Sequence, residues 1–154
     1  MNSPDFDTQT AHQFFAAQCF NAAWDLMEKS NRSPEEDEEM LRLNLASHWH
    51  WTQRDDYSAK AKSTAHWQTS RIYALLSQDE NARRYAHLCL QASQDQGIAP
   101  FYLAYAYEAL ARAESVAGNK KEMTHYLDEA HQIANTIAKS NSKQQLLDDL
   151  ATIK

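Results

Sequence analysis

Residues 100–134 read PFYLAYAYEALARAESVAGNKKEMTHYLDEAHQIA, and this stretch decides the fold. Over residues 101–113 the apolar side chains point in almost every direction around a helix, interrupted only by Glu108 and Arg112. The run is too long for a strand and well short of the ~20 residues that a membrane helix needs, so it reads as a core helix covered on several sides. Pro100 opens it, and Gly118 with Asn119 closes it, because a glycine just past a helix takes the left-handed conformation that turns the chain. Met123, Leu127, Ala130 and Ala134 then recur at helical spacing. Two helices joined by so short a break pack as antiparallel neighbours.

The same arrangement recurs upstream. Placing Ser77 on Gly118 aligns residues 65–92 with residues 106–133 at a spacing of 41. Ala65 then falls on Ala106, Arg71 on Arg112, Tyr85 on Tyr126 and Gln91 on Gln132, and the small or apolar Ala82, Ala86 and Cys89 meet Met123, Leu127 and Ala130. The pattern is that of a repeated helix pair. Farther toward the amino terminus, a first helix is expected from Thr8 to Lys29, with Phe15, Cys19, Ala22, Ala23 and Leu26 inward. Ser33, Pro34 and the carboxylates Glu35, Glu36 and Asp37 give the strongest helix start in the chain: a cap, an N1 proline and negative charge at the positive end of the helix dipole. This second helix is expected to bury Leu41, Leu45 and Trp49, and a third to run from Tyr57 to Leu76 with Asp55 or Asp56 as its cap. A seventh, from Lys143 to about Ile153, shows Leu146, Leu147, Leu150 and Ile153 and is expected to cover the end of the preceding pair.

Composition agrees with an all-α chain. The 154 residues include 2 glycines and 3 prolines, which leaves little turn chemistry for a many-stranded sheet. The length suits one domain spanning residues 1–154. A net charge of -6 and the lack of any basic run exclude nucleic acid as an expected partner, and no stretch is apolar enough for a membrane. Residues 1–10 lack the basic start and apolar core of a secretory signal, so the expected compartment is the cytoplasm. The two cysteines, Cys19 and Cys89, stand singly in apolar runs and read as reduced core thiols.

Tyr107, Leu110, Ala111, the Gly118–Asn119 turn, Leu127 and Ala130 together resemble one tetratricopeptide repeat, and residues 65–92 resemble a weaker second copy. The resemblance implies a short solenoid of about seven helices, ending in a capping helix. The chain departs from the family pattern in its longer spacing, in Ser70 and Ala111 where glycine is common, and in Glu114 where an aromatic is usual. Residues 100–113 and the ending DLATI, residues 149–153, are also similar to a group of uncharacterised bacterial proteins, a likeness that implies no activity.

The tetratricopeptide resemblance implies a concave ligand groove lined by the first helix of each pair. Carried onto this sequence, that groove takes Trp67 and Arg71 from one repeat and Tyr105, Glu108 and Arg112 from the next. Their spacings of three and four place each set on one helix face. An aromatic wall, two guanidinium groups and a carboxylate suit a peptide carboxylate or another anion. The same residues also admit an internal arrangement, with Glu108 paired to Arg112 and Trp67 packed beneath Arg71.

The segment SHWHWT, residues 47–52, crowds two histidines and two tryptophans into little more than a turn. His48 and His50 point about 200° apart on a helix and do not share a metal readily. So few glycines leave no phosphate-cradling loop, dinucleotide fingerprint or nucleophile elbow. The expectation is therefore a noncatalytic binding or adaptor protein for a peptide or protein, with no catalytic residue, metal or cofactor assigned. The alternative is a small-ligand sensor or enzyme with an enclosed pocket near His48, Trp51, Trp67 and Arg71. A homodimer through Phe14, Phe15, Phe20, Trp24, Trp49 and Trp51 is a further expectation.

Overall fold

A computed structural model describes residues 5–154, and all the regular structure among them is helical. The reading of residues 1–10 as lacking a secretory signal falls partly on residues 1–4, outside the described residues. Helix α1 (Thr8–Met27) is capped by Asp7, whose carboxylate accepts from the amides of Gln9 and Thr10. Helix α2 (Pro34–Thr52) begins with a capping box: Ser33 accepts from the Glu36 amide, and the Glu36 carboxylate accepts from the Ser33 amide. Helix α3 (Ala59–Leu75) starts later than expected. Its cap is Ser58, which accepts from the Ala61 amide, because Arg54 already holds the Asp56 carboxylate with two bonds of 2.7 and 2.6 Å. Helices α4 (Asp79–Ser93), α5 (Pro100–Val116), α6 (Lys120–Thr136) and α7 (Asn141–Ala151) complete the order, and none of the helices is long and apolar enough to cross a membrane.

The helices pack as three antiparallel pairs, α1 with α2, α3 with α4 and α5 with α6; α2 leans on α3, α3 and α4 lean on α5, and α7 covers α5 and α6. The 41-residue spacing is visible in the backbone. Helices α3 and α5 are both 17 residues long and start at Ala59 and Pro100. The α3–α4 and α5–α6 pairs each turn at a left-handed residue, Ser77 at φ 57° and Gly118 at φ 73°. In both turns the following amide reaches back to close the helix: Gln78 N to Tyr73 O and Asn119 N to Glu114 O, each 2.9 Å. Helix α5 is the central element. Its successive residues Glu108, Ala109, Leu110 and Ala111 are all buried, and four successive residues span the full circumference of a helix.

The first pair faces its neighbours with a different stripe from the expected one. Ala23 is buried as expected, but Phe15, Leu45 and Trp49 are 46%, 42% and 55% exposed, whereas Ala16, Met40, Asn44 and Ser47 are buried. Small and polar side chains let these helices approach closely: Ser47 Oγ donates to Ala16 O at 2.8 Å. Asn44 Nδ2 donates to Gln68 Oε1 at 3.0 Å, the Thr69 hydroxyl donates to Asn44 Oδ1 at 2.9 Å, and Gln68 Nε2 donates to Phe20 O at 3.0 Å. A buried polar group that finds its partner costs little, so Asn44 can occupy a place that hydropathy assigns to leucine. The same principle accounts for two departures from the repeat pattern. Ser70 Oγ donates to Ala82 O at 2.8 Å across the α3–α4 contact, and Glu114 receives two bonds from Arg83 at 2.6 and 3.1 Å.

Candidate functional site

Trp67, Arg71, Tyr105, Glu108 and Arg112 converge, and their polar atoms meet one another. Trp67 and Glu108 occupy the same position of the 41-residue spacing, on α3 and α5, and are joined by a 2.8 Å bond from Trp67 Nε1 to Glu108 Oε2. Glu108 is fully buried. Its Oε1 accepts from Arg71 Nη1 at 2.9 Å and from Arg112 Nε at 2.7 Å, and Arg112 Nη2 lies 2.6 Å away in the same ion pair. The Glu108–Arg112 ion pair of the internal arrangement is thus formed, while Trp67 bonds to the carboxylate itself.

Helix α7 closes the far side. Asp149 accepts from the Tyr105 hydroxyl at 2.8 Å and lies 3.9 Å from Arg71 Nη2, and Arg112 Nη2 donates to Asp149 O and Thr152 Oγ1. Two guanidinium groups therefore face two carboxylates, and the cluster carries no formal net charge. Burial lowers the Arg71 pKa while Glu108 and Asp149 oppose that effect; burial and then the Asp149 bond raise that of the Tyr105 phenol and keep it protonated. The carboxylate most deeply placed, Glu108, is held by three donor side chains.

In front of this cluster lies an open cleft of about 370 Å³ on the face shared by α1, α3 and α5. Its walls are Phe20 and Trp24 from α1, Trp67 from α3, and Phe101, Tyr102 and Tyr105 from α5; Asn21, Ser63, Thr64 and Gln145 add uncharged polar edges. The rings brace one another. Trp24 stacks on Trp67 at 5.7 Å, Trp67 meets Tyr105 edge-on at 5.5 Å, and Phe101 meets Tyr105 edge-on at 4.9 Å. A second open cleft, about 420 Å³, continues from the first and shares Phe20, Asn21 and Thr64 with it. It adds Trp51, Arg54, Asp56 and Lys60, with the Arg54 guanidinium 3.8 Å above the Trp51 ring and bound to Asp56.

Sequence reasoning missed the front of this site. Phe20 and Trp24, named above only for a dimer face, line the cleft, and Phe14 and Trp49 are exposed elsewhere at 60% and 55%. The available signal was their spacing of four, shared by Phe101 and Tyr105, which puts two rings in line on each helix. Asp149 carried no signal, because its role depends on where α7 docks.

The residues of the enclosed-pocket alternative are divided among different surroundings. His48 meets His66 edge-on at 4.6 Å and lies 3.3 Å from the Tyr57 hydroxyl; Trp51 lines the second cleft, and Trp67 the first. His50 turns instead to His12, with their Nδ1 atoms 2.9 Å apart. His66 packs beside Tyr85, and its Nδ1 is buried with no hydrogen-bond partner among the described residues. Burial, then neighbouring positive charge, pushes its pKa down to about 4. No family model, curated protein or solved structure matches the chain.

Proposed function

We propose that this chain is a noncatalytic binding protein whose α1/α3/α5 face receives a segment of peptide or protein. The observation that carries this reading is the open aromatic cleft backed by a charge-neutral cluster. Six aromatic side chains from three helices face one space, and the groups that would otherwise demand a charged ligand are paired behind them. Surface of this kind gains most from excluding water around an apolar side chain. The resemblance to tetratricopeptide repeats points to the same face, the one built from the first helix of each pair. In this reading Trp67 and Tyr105 touch the ligand, whereas Arg71, Glu108 and Arg112 hold those two rings in place.

The test is selection of random dodecapeptides displayed on phage against the immobilised full chain, followed by binding measurements with synthetic copies. Thr64 lines both clefts, so Thr64→Trp fills their junction. The selected peptides are expected to bind the natural chain and to lose at least about tenfold in affinity for the filled variant, the scale of about 1.4 kcal/mol. Equal binding to both chains, with circular dichroism showing both folded, removes the groove from the account.

A further inference from the structure

The two clefts differ in charge, and the difference specifies a ligand. No charged side chain lines the first cleft; the second is lined by Arg54, Asp56 and Lys60. Arg54 and Asp56 neutralise each other through two short bonds. Lys60 has no ion-pair partner among the described residues, and its Nζ lies 5.7 Å from the centre of the Tyr102 ring, which is itself a wall of the first cleft. One exposed cation therefore stands at the junction of an uncharged aromatic site and its continuation.

Resting on the peptide-binding reading above, we infer that the groove recognises an extended peptide by an uncharged aromatic side chain in the first cleft and an acidic side chain close by in sequence at Lys60. The aromatic side chain suits the ring-lined walls, because a charge placed there would lose its hydration with no opposite charge free to replace it. Arg71 and Arg112 do not supply that charge, since both are ion-paired with Glu108, Arg71 also lies 3.9 Å from Asp149, and Arg112 donates to Asp149 O and Thr152 Oγ1. The acidic position follows from Lys60 alone. An extended chain advances about 3.3 Å per residue, so an acid within about two residues of the aromatic reaches from the Tyr102 wall to the ammonium group. The overall charge of -6 does not oppose this, because charges farther than about 8 Å are largely screened at physiological salt while Lys60 is in contact.

The peptides selected above supply the test. They are expected to share an aromatic residue with Asp or Glu within about two positions of it. Synthetic dodecapeptides should lose about two- to fivefold in affinity when the acid becomes Asn, within the range of a single exposed ion pair, and more when the aromatic becomes Ala. Lys60→Glu is compatible with folding, since it puts negative charge in the first turn of α3. Against this variant the preference should reverse, with peptides carrying Lys in place of the acid binding better than the originals. Peptides that are sensitive to Thr64→Trp, yet show no acidic preference and no response to Lys60→Glu, overturn the assignment of Lys60 and leave the peptide-binding reading standing. Failure to select any peptide, or a pool indifferent to Thr64→Trp, overturns both.

Discussion

Helix α3 is held on its two flanks by opposite kinds of buried polar chemistry. Toward α1 and α2 it presents Gln68 and Thr69, which join Asn44 and the Phe20 carbonyl in a network without charge, and His66, which rests against His48. Toward α5 and α7 it presents Trp67 and Arg71, which enter the ionic cluster of Glu108, Arg112 and Asp149. The ionic flank and the Asn44–Gln68–Thr69 network satisfy their buried atoms, His66 Nδ1 being the exception, but the two flanks fail differently. Deleting a neutral partner exposes an unmet hydrogen bond, whereas deleting an ionic partner strands a desolvated charge.

The sharpest way to break this comparison is Glu108→Ala, which leaves Arg71 and Arg112 without their common anion and Trp67 without its acceptor. It is expected to destabilise the chain by about 3–5 kcal/mol in urea unfolding. A loss below about 1 kcal/mol would show that the ionic flank is not special. On the neutral flank, Asn44→Ala leaves Gln68 Oε1 without a donor, while the Thr69 hydroxyl still reaches Ala65 O at 3.0 Å. The expected cost is smaller, about 2 kcal/mol by the same measurement.

Acid should act on the neutral flank through His66. Its folded pKa of about 4 lies below the unfolded value of 6.5, so between those values the unfolded chain takes up a proton that the folded chain refuses. Stability therefore falls as pH drops from 6.5 toward 4 and this contribution levels off below. The expected loss is about 1–2 kcal/mol, less than the full linkage value because the ring is only partly buried. Comparing unfolding free energies at pH 7 and 4.5 for the natural chain and His66→Phe isolates it from the carboxylates; equal pH dependence in the two removes His66 as the cause.

Smaller effects test the backbone. Ser77→Gly should stabilise by about 0.5–1 kcal/mol, since it relieves a left-handed non-glycine residue at the turn where the α5–α6 pair already has Gly118. The expected sign is a rise in the thermal midpoint, and a fall would show that the serine side chain matters more than its φ. Trp49→Ser, on the exposed side of α2, should change stability by about 0.5 kcal/mol or less, in contrast to the buried Asn44 five residues before it.

Much of the fold was legible because it is local. Pro34 after Ser33, Pro100 before an apolar run, and Gly118 after one mark helix ends by backbone chemistry that no distant contact needs to confirm. The 41-residue alignment placed Ser77 on Gly118, and the backbone gives both the same left-handed turn. The face of α2 was not legible. Leu45 and Trp49 fit the helical period as well as Asn44 and Ser47 do, and choosing between the two stripes requires the partners Gln68, Thr69 and Ala16, which stand on other helices. The site shows the same division: the spacing of Trp67 with Arg71 and of Glu108 with Arg112 was visible, but Asp149 and the Phe20–Trp24 wall were not.

The sequence by itself determined seven helices, the Ser33 cap and the repeated pair, since each follows from periodicity and turn chemistry within a short stretch of chain, and the tetratricopeptide resemblance singled out Trp67, Arg71, Tyr105, Glu108 and Arg112 on the first helices of that pair. Only the tertiary structure decided that the charged members of that set would be spent on one another and on Asp149, leaving a neutral aromatic cleft in front. An arginine offers the same donors to a ligand as to a neighbouring helix; which of them it meets depends on the distances across α3, α5 and α7, and those are set by packing.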